Sequence, residues 1–215
     1  NGWNVALSVA MANSDVYSNT NVTVTVPSLG DIRIDQGVSG TGIDRLDDVS
    51  PTVWEEADGW GLGSGMAKVA GGSSGSTIEY TPNMLPAGLT ARVAYSPDAG
   101  ATAGDKARTV QQSAEAGAWD MTIEATSDIT GIEGLTLQAG IAEITQYTDS
   151  SAVTGDEEDT TWAITYAAGG FTVGYQVTEE ENGRTGTTGY DNTTYGITFS
   201  VNDDLSIGYN HTESD

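Results

Sequence analysis

The sequence predicts an all-β fold: an antiparallel up-and-down sheet of about eleven strands. Three observations predict it. Apolar and polar residues alternate with period two in short segments, one hairpin recurs almost unchanged, and short and long connections alternate along the chain. Thr, Val, Ile, Tyr and Trp fill the alternating segments, and these residues favour strands. No segment shows a convincing helical pattern.

The alternating segments are divided by a long interruption after the third one. The apolar positions of the first five predicted strands lie within residues 3–11, 22–26, 32–34, 78–80 and 89–95. Beyond a polar loop near 96–114, six more lie within residues 119–123, 135–141, 162–166, 171–177, 195–201 and 205–209. Each segment therefore presents one apolar and one polar face, because successive strand residues point to opposite sides.

Two consecutive hairpins, residues 160–180 and 193–213, are near copies of each other. With one extra residue at the second turn, three aromatic pairs align: Trp162 with Tyr195, Tyr166 with Phe199, and Tyr175 with Tyr209. A repeat of ~33 residues indicates a sheet built by adding equivalent hairpins. The recurring aromatics at strand ends suit the interfacial girdles of a membrane barrel.

The connections separate into two classes. The short ones lie at 27–30, 82–88, 130–134, 168–170 and 201–204, and the intervening, mostly longer and acidic ones lie at 13–18, 37–75, 96–114, 148–158 and 181–192. In a meander this alternation brings all long loops to one end, as in outer-membrane barrels. The alternation therefore predicts a transmembrane β-barrel with residues 1–215 in one domain. The alternative is a soluble sheet whose polar face is solvated.

Composition excludes several function classes. The formal charge of −24, from 31 acidic residues against 7 Lys and Arg, excludes a nucleic-acid binder. Cysteine is absent, which removes disulfides, thiolate metal sites and thiol catalysis. No G-x-S-x-G element occurs, and carboxylate pairs are expected in so acidic a chain. No enzyme activity is predicted.

The segment 30–60, GDIRIDQGVSGTGIDRLDDVSPTVWEEADGW, and the hairpin TTYGITFSVNDDLSIGYNHTE resemble Gram-negative general diffusion porins of the trimeric alphaproteobacterial kind. The resemblance implies a homotrimer in the bacterial outer membrane that passes small hydrophilic solutes and ions. It also implies a barrel of about 16 strands when complete, so we expect this chain to be a partial barrel. Residues 37–75 then correspond to the constriction loop that folds into the lumen.

The resemblance further implies a charged constriction. Its acidic side consists of Asp44, Asp47, Asp48, Glu55 and Glu56, and the best basic partners are Arg33 and Arg92 on strands flanking the insert. Opposed charges across a narrow pore orient water and polar solutes. An ordinary solvated loop, with Arg45 and Lys68 as local ion-pair partners, is the alternative. The net charge predicts a preference for cations.

An acidic rim formed by Asp156, Glu157, Glu158 and Asp159 is a candidate Ca²⁺ site, because Ca²⁺ prefers carboxylate oxygens. No EF-hand spacing is present, and a solvated surface is the simpler interpretation. No other cofactor is predicted. Two other functions stay open: a soluble, acidic β-rich surface, adhesion or structural-layer protein, and a substrate-specific barrel with Trp54 and Trp60 as a solute track.

Overall fold

The computed structural model describes residues 2–10, 19–36, 41–46, 49–52, 76–97, 115–146, 153–181, 183, 185–186 and 189–215. These residues form eleven strands, as the alternation predicts: β1 (Asn4–Ala10), β2 (Asn19–Val26), β3 (Gly30–Gln36), β4 (Ser76–Pro82), β5 (Leu89–Ser96), β6 (Glu115–Ala125), β7 (Leu135–Gln146), β8 (Glu157–Ala168), β9 (Phe171–Glu181), β10 (Tyr190–Asn202) and β11 (Leu205–Ser214).

Within the described residues, two short helical segments interrupt this pattern, and the sequence did not predict them. A 3₁₀ helix spans Gly42–Leu46 in the long insert, and α1 spans Ser127–Thr130 in the turn between β6 and β7. Each is too short to produce a helical period in the sequence. Within the described part of the chain, no helix is long and apolar enough to cross a membrane.

The eleven described strands form one antiparallel sheet in sequence order, with β1 and β11 at its edges. This confirms the predicted up-and-down topology. Strands β6 to β11 contain 10 to 13 residues. A tilted strand of about this length crosses the hydrocarbon core of a bilayer.

Tight turns join the paired strands at one end of the sheet. Gly169 and Gly170 between β8 and β9 both have positive φ, 58° and 86°. Two successive positive φ values are what a two-residue type I′ hairpin requires. Between β10 and β11, the Asp204 amide instead donates to the side chain of Asn202 at 2.9 Å.

The two faces of the sheet are inverted relative to a soluble protein. Large apolar side chains on alternate positions are exposed, including Leu7, Ile34, Trp119, Trp162 and Tyr209. Polar or charged side chains such as Asp35, Glu79, Asp120, Thr161 and Gln176 are instead buried. An apolar exterior with a polar interior is the arrangement of membrane barrels.

Apolar burial within the described residues is limited to small clusters, one of which joins Ile43 of the insert to Ala142 of β7.

The repeated hairpins have the same strand register. Ile164 pairs with Tyr175 in β8–β9, and the aligned Ile197 pairs with Tyr209 in β10–β11. The extra residue of the second copy is taken up by a register shift between Ser200 and Asn202. A β-bulge accommodates one added residue in this way without changing which face the rest of the strand presents.

Candidate functional site

The described part of the insert, residues 41–46 and 49–52, lies on the polar face of the sheet. Its 3₁₀ helix contacts β5, β6 and β7. Ile43 and Leu46 are buried against Gly140 of β7, where a Cβ atom would lie 2.9 Å from Ile43 Cγ1 and 3.1 Å from Leu46 Cδ1. The apolar side of this helical turn is therefore covered by the sheet, because β7 has no side chain at that position.

Two buried carboxylates hold the amino end of the 3₁₀ helix. The Gly42 amide donates to Glu79 Oε2 at 2.7 Å, and the Ile43 amide hydrogen bonds to Asp120. The Arg45 guanidinium forms an ion pair with the same Glu79 oxygen. Carboxylates are favourable at this position because the first amides of a helix have no partners within it. Glu79 of β4 and Asp120 of β6 therefore fasten the insert to two strands of the sheet.

Gln176 of β9 holds the carboxyl end of the same helix. Its Nε2 donates to the Leu46 carbonyl and lies 3.3 Å from Thr161 Oγ1. Gln176 and Leu46 are both buried. Beyond this contact, Ser50 and Pro51 lie over Gly174 and Gly196 of β9 and β10. The described insert thus crosses the polar face from β4 to β10.

The predicted basic partners have different surroundings. Arg33 forms an ion pair with Asp35 of its own strand at 2.6 Å, with a second hydrogen bond from Nε at 2.9 Å. Arg92 lies on the polar face of β5 within electrostatic reach of Arg45, Glu79 and Glu124. Among the described residues it has no ion pair within 4 Å.

The predicted acidic partners fall mostly outside the described residues. Asp44 is part of the 3₁₀ helix and is half-buried. Asp47, Asp48, Glu55 and Glu56 lie outside the described residues, as do Trp54 and Trp60. In the described part of the chain, an ion pair joins insert and sheet with the basic residue, Arg45, on the insert and the acidic residue, Glu79, on the sheet. This is opposite in sign to the arrangement predicted for Arg33 and Arg92.

The candidate Ca²⁺ residues are divided between two faces of the sheet. Asp156 precedes β8 and accepts a hydrogen bond from the Gln146 amide at 2.9 Å. Glu157 and Asp159 pair with Ile144 and Ala142 on the polar face, whereas Glu158 points to the opposite side. No group of three or more potential metal ligands is present within the described residues. Calcium binding at this rim stays a prediction.

Sequence reasoning missed the residues that hold the insert. The period-two alternation places Glu79 and Asp120 on the polar face, but it predicts no contact with the insert for them or for Gln176. The available signal was glycine inside a strand, at Gly140, Gly174 and Gly196. Such a glycine often marks a close approach of another backbone.

A family model for Gram-negative porins matches residues 1–215. A comparison with curated proteins found no match. The matched family accounts for the antiparallel sheet with its apolar outer face and its polar inner face. The chain therefore belongs to the Gram-negative porins, which are passive diffusion channels of the bacterial outer membrane.

Proposed function

We propose that this porin passes small hydrophilic solutes and prefers cations, and that residues 37–75 fold inward to narrow its lumen. The observation that carries the proposal is the fastening of the insert to the polar face by Glu79, Asp120 and Gln176. In a barrel with an apolar exterior this face lines the water-filled lumen. A segment lying across it occupies part of the pore cross-section.

The charges on the polar face support the cation preference. Arg33 and Arg45 are each paired with a carboxylate, so they add little net positive charge. Among the described residues, acidic side chains on this face outnumber basic ones. The acidic residues are Asp31, Asp35, Glu79, Asp120, Glu124, Glu157, Asp159 and Glu180. A lumen with excess negative charge concentrates cations, and salt screens the effect.

The test is the reversal potential of the purified protein in a planar bilayer under a KCl gradient. We expect a cation-selective potential that shifts toward zero in Asp47→Asn/Asp48→Asn, because these residues belong to the insert. Asp203→Asn/Asp204→Asn is the matched control, since it removes the same two charges from the turn between β10 and β11. Equal shifts in both variants, or none in either, would contradict a charged constriction in the insert.

We also propose a homotrimer, in keeping with the general porins that the sequence resembles. The native mass of the detergent-solubilised protein should be three times the mass of one chain. Conductance should then appear in triplets of equal steps. A monomeric mass with single steps would contradict this assembly.

The remaining alternatives differ in measurable behaviour. The exposed apolar face, with Trp3, Leu7 and Tyr209 each more than half exposed, favours a membrane barrel over a soluble surface or structural-layer protein. A protein that stayed monodisperse without detergent would reverse this preference. A substrate-specific barrel would instead show conductance that saturates and is blocked by one solute.

A further inference from the structure

Two glycines lie directly opposite each other on adjacent strands. Gly174 of β9 pairs with Gly196 of β10, and the pair is flanked by Thr165 on β8 and Asn210 on β11. Glycine in a strand interior weakens the sheet, because it has no side chain to pack and loses more conformational freedom on folding. Both glycines face the polar side, so the two missing side chains leave a depression there.

Ser50 and Pro51 of the insert occupy this depression. A Cβ atom at Gly174 would overlap Pro51 Cδ and lie 3.0 Å from Pro51 Cγ. A Cβ atom at Gly196 would overlap the Pro51 carbonyl oxygen and lie 3.0 Å from Ser50 Oγ. Non-bonded carbon atoms prefer a separation of about 3.5–4 Å. The insert therefore fills the space that side chains at these two positions would need.

We propose that Gly174 and Gly196 are positioning residues for permeation: they seat the insert against the wall and so set the free width of the lumen. The inference rests on the proposed function, in which the insert narrows the pore. A methyl group at either position moves Ser50 and Pro51 off the wall toward the lumen by roughly 1 Å. The pore becomes narrower, and its conductance falls.

The two glycines lie against different atoms of the insert: Gly174 faces the ring of Pro51, and Gly196 faces the Pro51 carbonyl oxygen. This difference allows the two contacts to be tested separately. Gly174→Ala and Gly196→Ala should each lower single-channel conductance about 1.2- to 1.5-fold, because the narrowest gap limits passage. Pro51→Ala removes the Cγ and Cδ atoms, so Pro51→Ala/Gly174→Ala should return to the wild-type value. Pro51→Ala/Gly196→Ala should stay low, because the carbonyl oxygen is still present.

Gly155→Ala is the matched control, since a Cβ atom there meets nothing within 4 Å. Its conductance should equal that of the wild type. Folding of every variant is checked by circular dichroism and by heat-modifiable migration. If Gly196→Ala does not fold, the test rests on the lower conductance of Gly174→Ala and on its return to the wild-type value when Pro51→Ala is added. The proposal would be overturned if Gly174→Ala and Gly196→Ala had the same conductance as Gly155→Ala. It would also be overturned if adding Pro51→Ala changed the conductance of both glycine variants by the same amount.

A variant with residues 56–72 deleted separates this proposal from the one on which it rests. If the deletion leaves conductance unchanged, the insert does not narrow the lumen and the proposed function fails. If the deletion raises conductance while both glycine variants match Gly155→Ala, only the role of the glycine pair fails.

Discussion

The two near-copy hairpins, β8–β9 and β10–β11, agree on one face and differ on the other. On the apolar face, Trp162 and Tyr175 have ring centroids 5.5 Å apart, and the aligned Tyr195 and Tyr209 are 6.5 Å apart. Both pairs are tilted by similar angles, 42° and 46°. The outer face of the sheet therefore repeats in contact geometry as well as in sequence.

On the polar face the equivalent positions behave differently. Gln176 donates to the Leu46 carbonyl of the insert, whereas the side-chain nitrogen of the aligned Asn210 is buried without a hydrogen-bond partner among the described residues. Gly196 lies beneath Pro51, whereas its counterpart in the first hairpin is Ala163. Lipid presents the same surroundings to every strand, so the outer face can repeat. The insert contacts particular strands, so the inner face must differ from one hairpin to the next.

Charges on the outer face give the largest expected effect. Ile164→Arg and Ile197→Arg should each lower the free energy of unfolding by ~2–4 kcal/mol, because arginine is costly near the bilayer midplane. The losses should be similar, since the two residues are equivalent in the repeat. Thr198→Arg, on the polar face beside Ile197, is the control with a much smaller loss. Guanidinium unfolding in lipid vesicles measures all three, and a large difference between the two isoleucines would break the equivalence.

Amide side chains on the inner face should show a smaller, asymmetric effect. Gln176→Ala should cost ~1–3 kcal/mol, because the buried Leu46 carbonyl loses its donor. Asn210→Ala should change stability by less than about 0.5 kcal/mol, since it removes a nitrogen without a partner among the described residues. The same unfolding experiment compares them. Equal costs would mean that the inner faces do not differ as described.

Aromatic coupling is the smallest expected effect and should be the same in both hairpins. Double-mutant cycles to alanine on Trp162/Tyr175 and on Tyr195/Tyr209 should each give ~0.5–1.5 kcal/mol of favourable coupling. Stacking of Phe171 on Phe199, at 4.2 Å, joins the two hairpins and provides a third cycle for comparison. If one aromatic pair showed coupling and the other showed none, the two hairpins would be alike in sequence but not in the energy of their aromatic contacts.

The number, order and faces of the strands could be predicted because they depend on local pattern. Period-two alternation specifies which side each residue occupies, and a register slip of one residue would place the polar set in lipid. Pairing of each strand with the next follows from the short turns at one end, such as Gly169 and Gly170. The Arg33–Asp35 ion pair is local in the same sense, because residues two apart in a strand share a face.

The sequence by itself determined a porin-like antiparallel sheet with an apolar exterior, since alternation is written into every strand. Only the tertiary structure decided where residues 41–46 and 49–52 of the insert lie. Glu79, Asp120, Gln176 and the Gly174–Gly196 pair are distant in sequence from the helical turn and the proline that they hold. No periodic pattern links such residues, because the contacts join strands that are far apart in sequence and use the space left by absent side chains. The strands were therefore predictable from residue alternation alone. The residues that hold the insert could be identified only from the folded structure, in which positions distant in sequence are in contact.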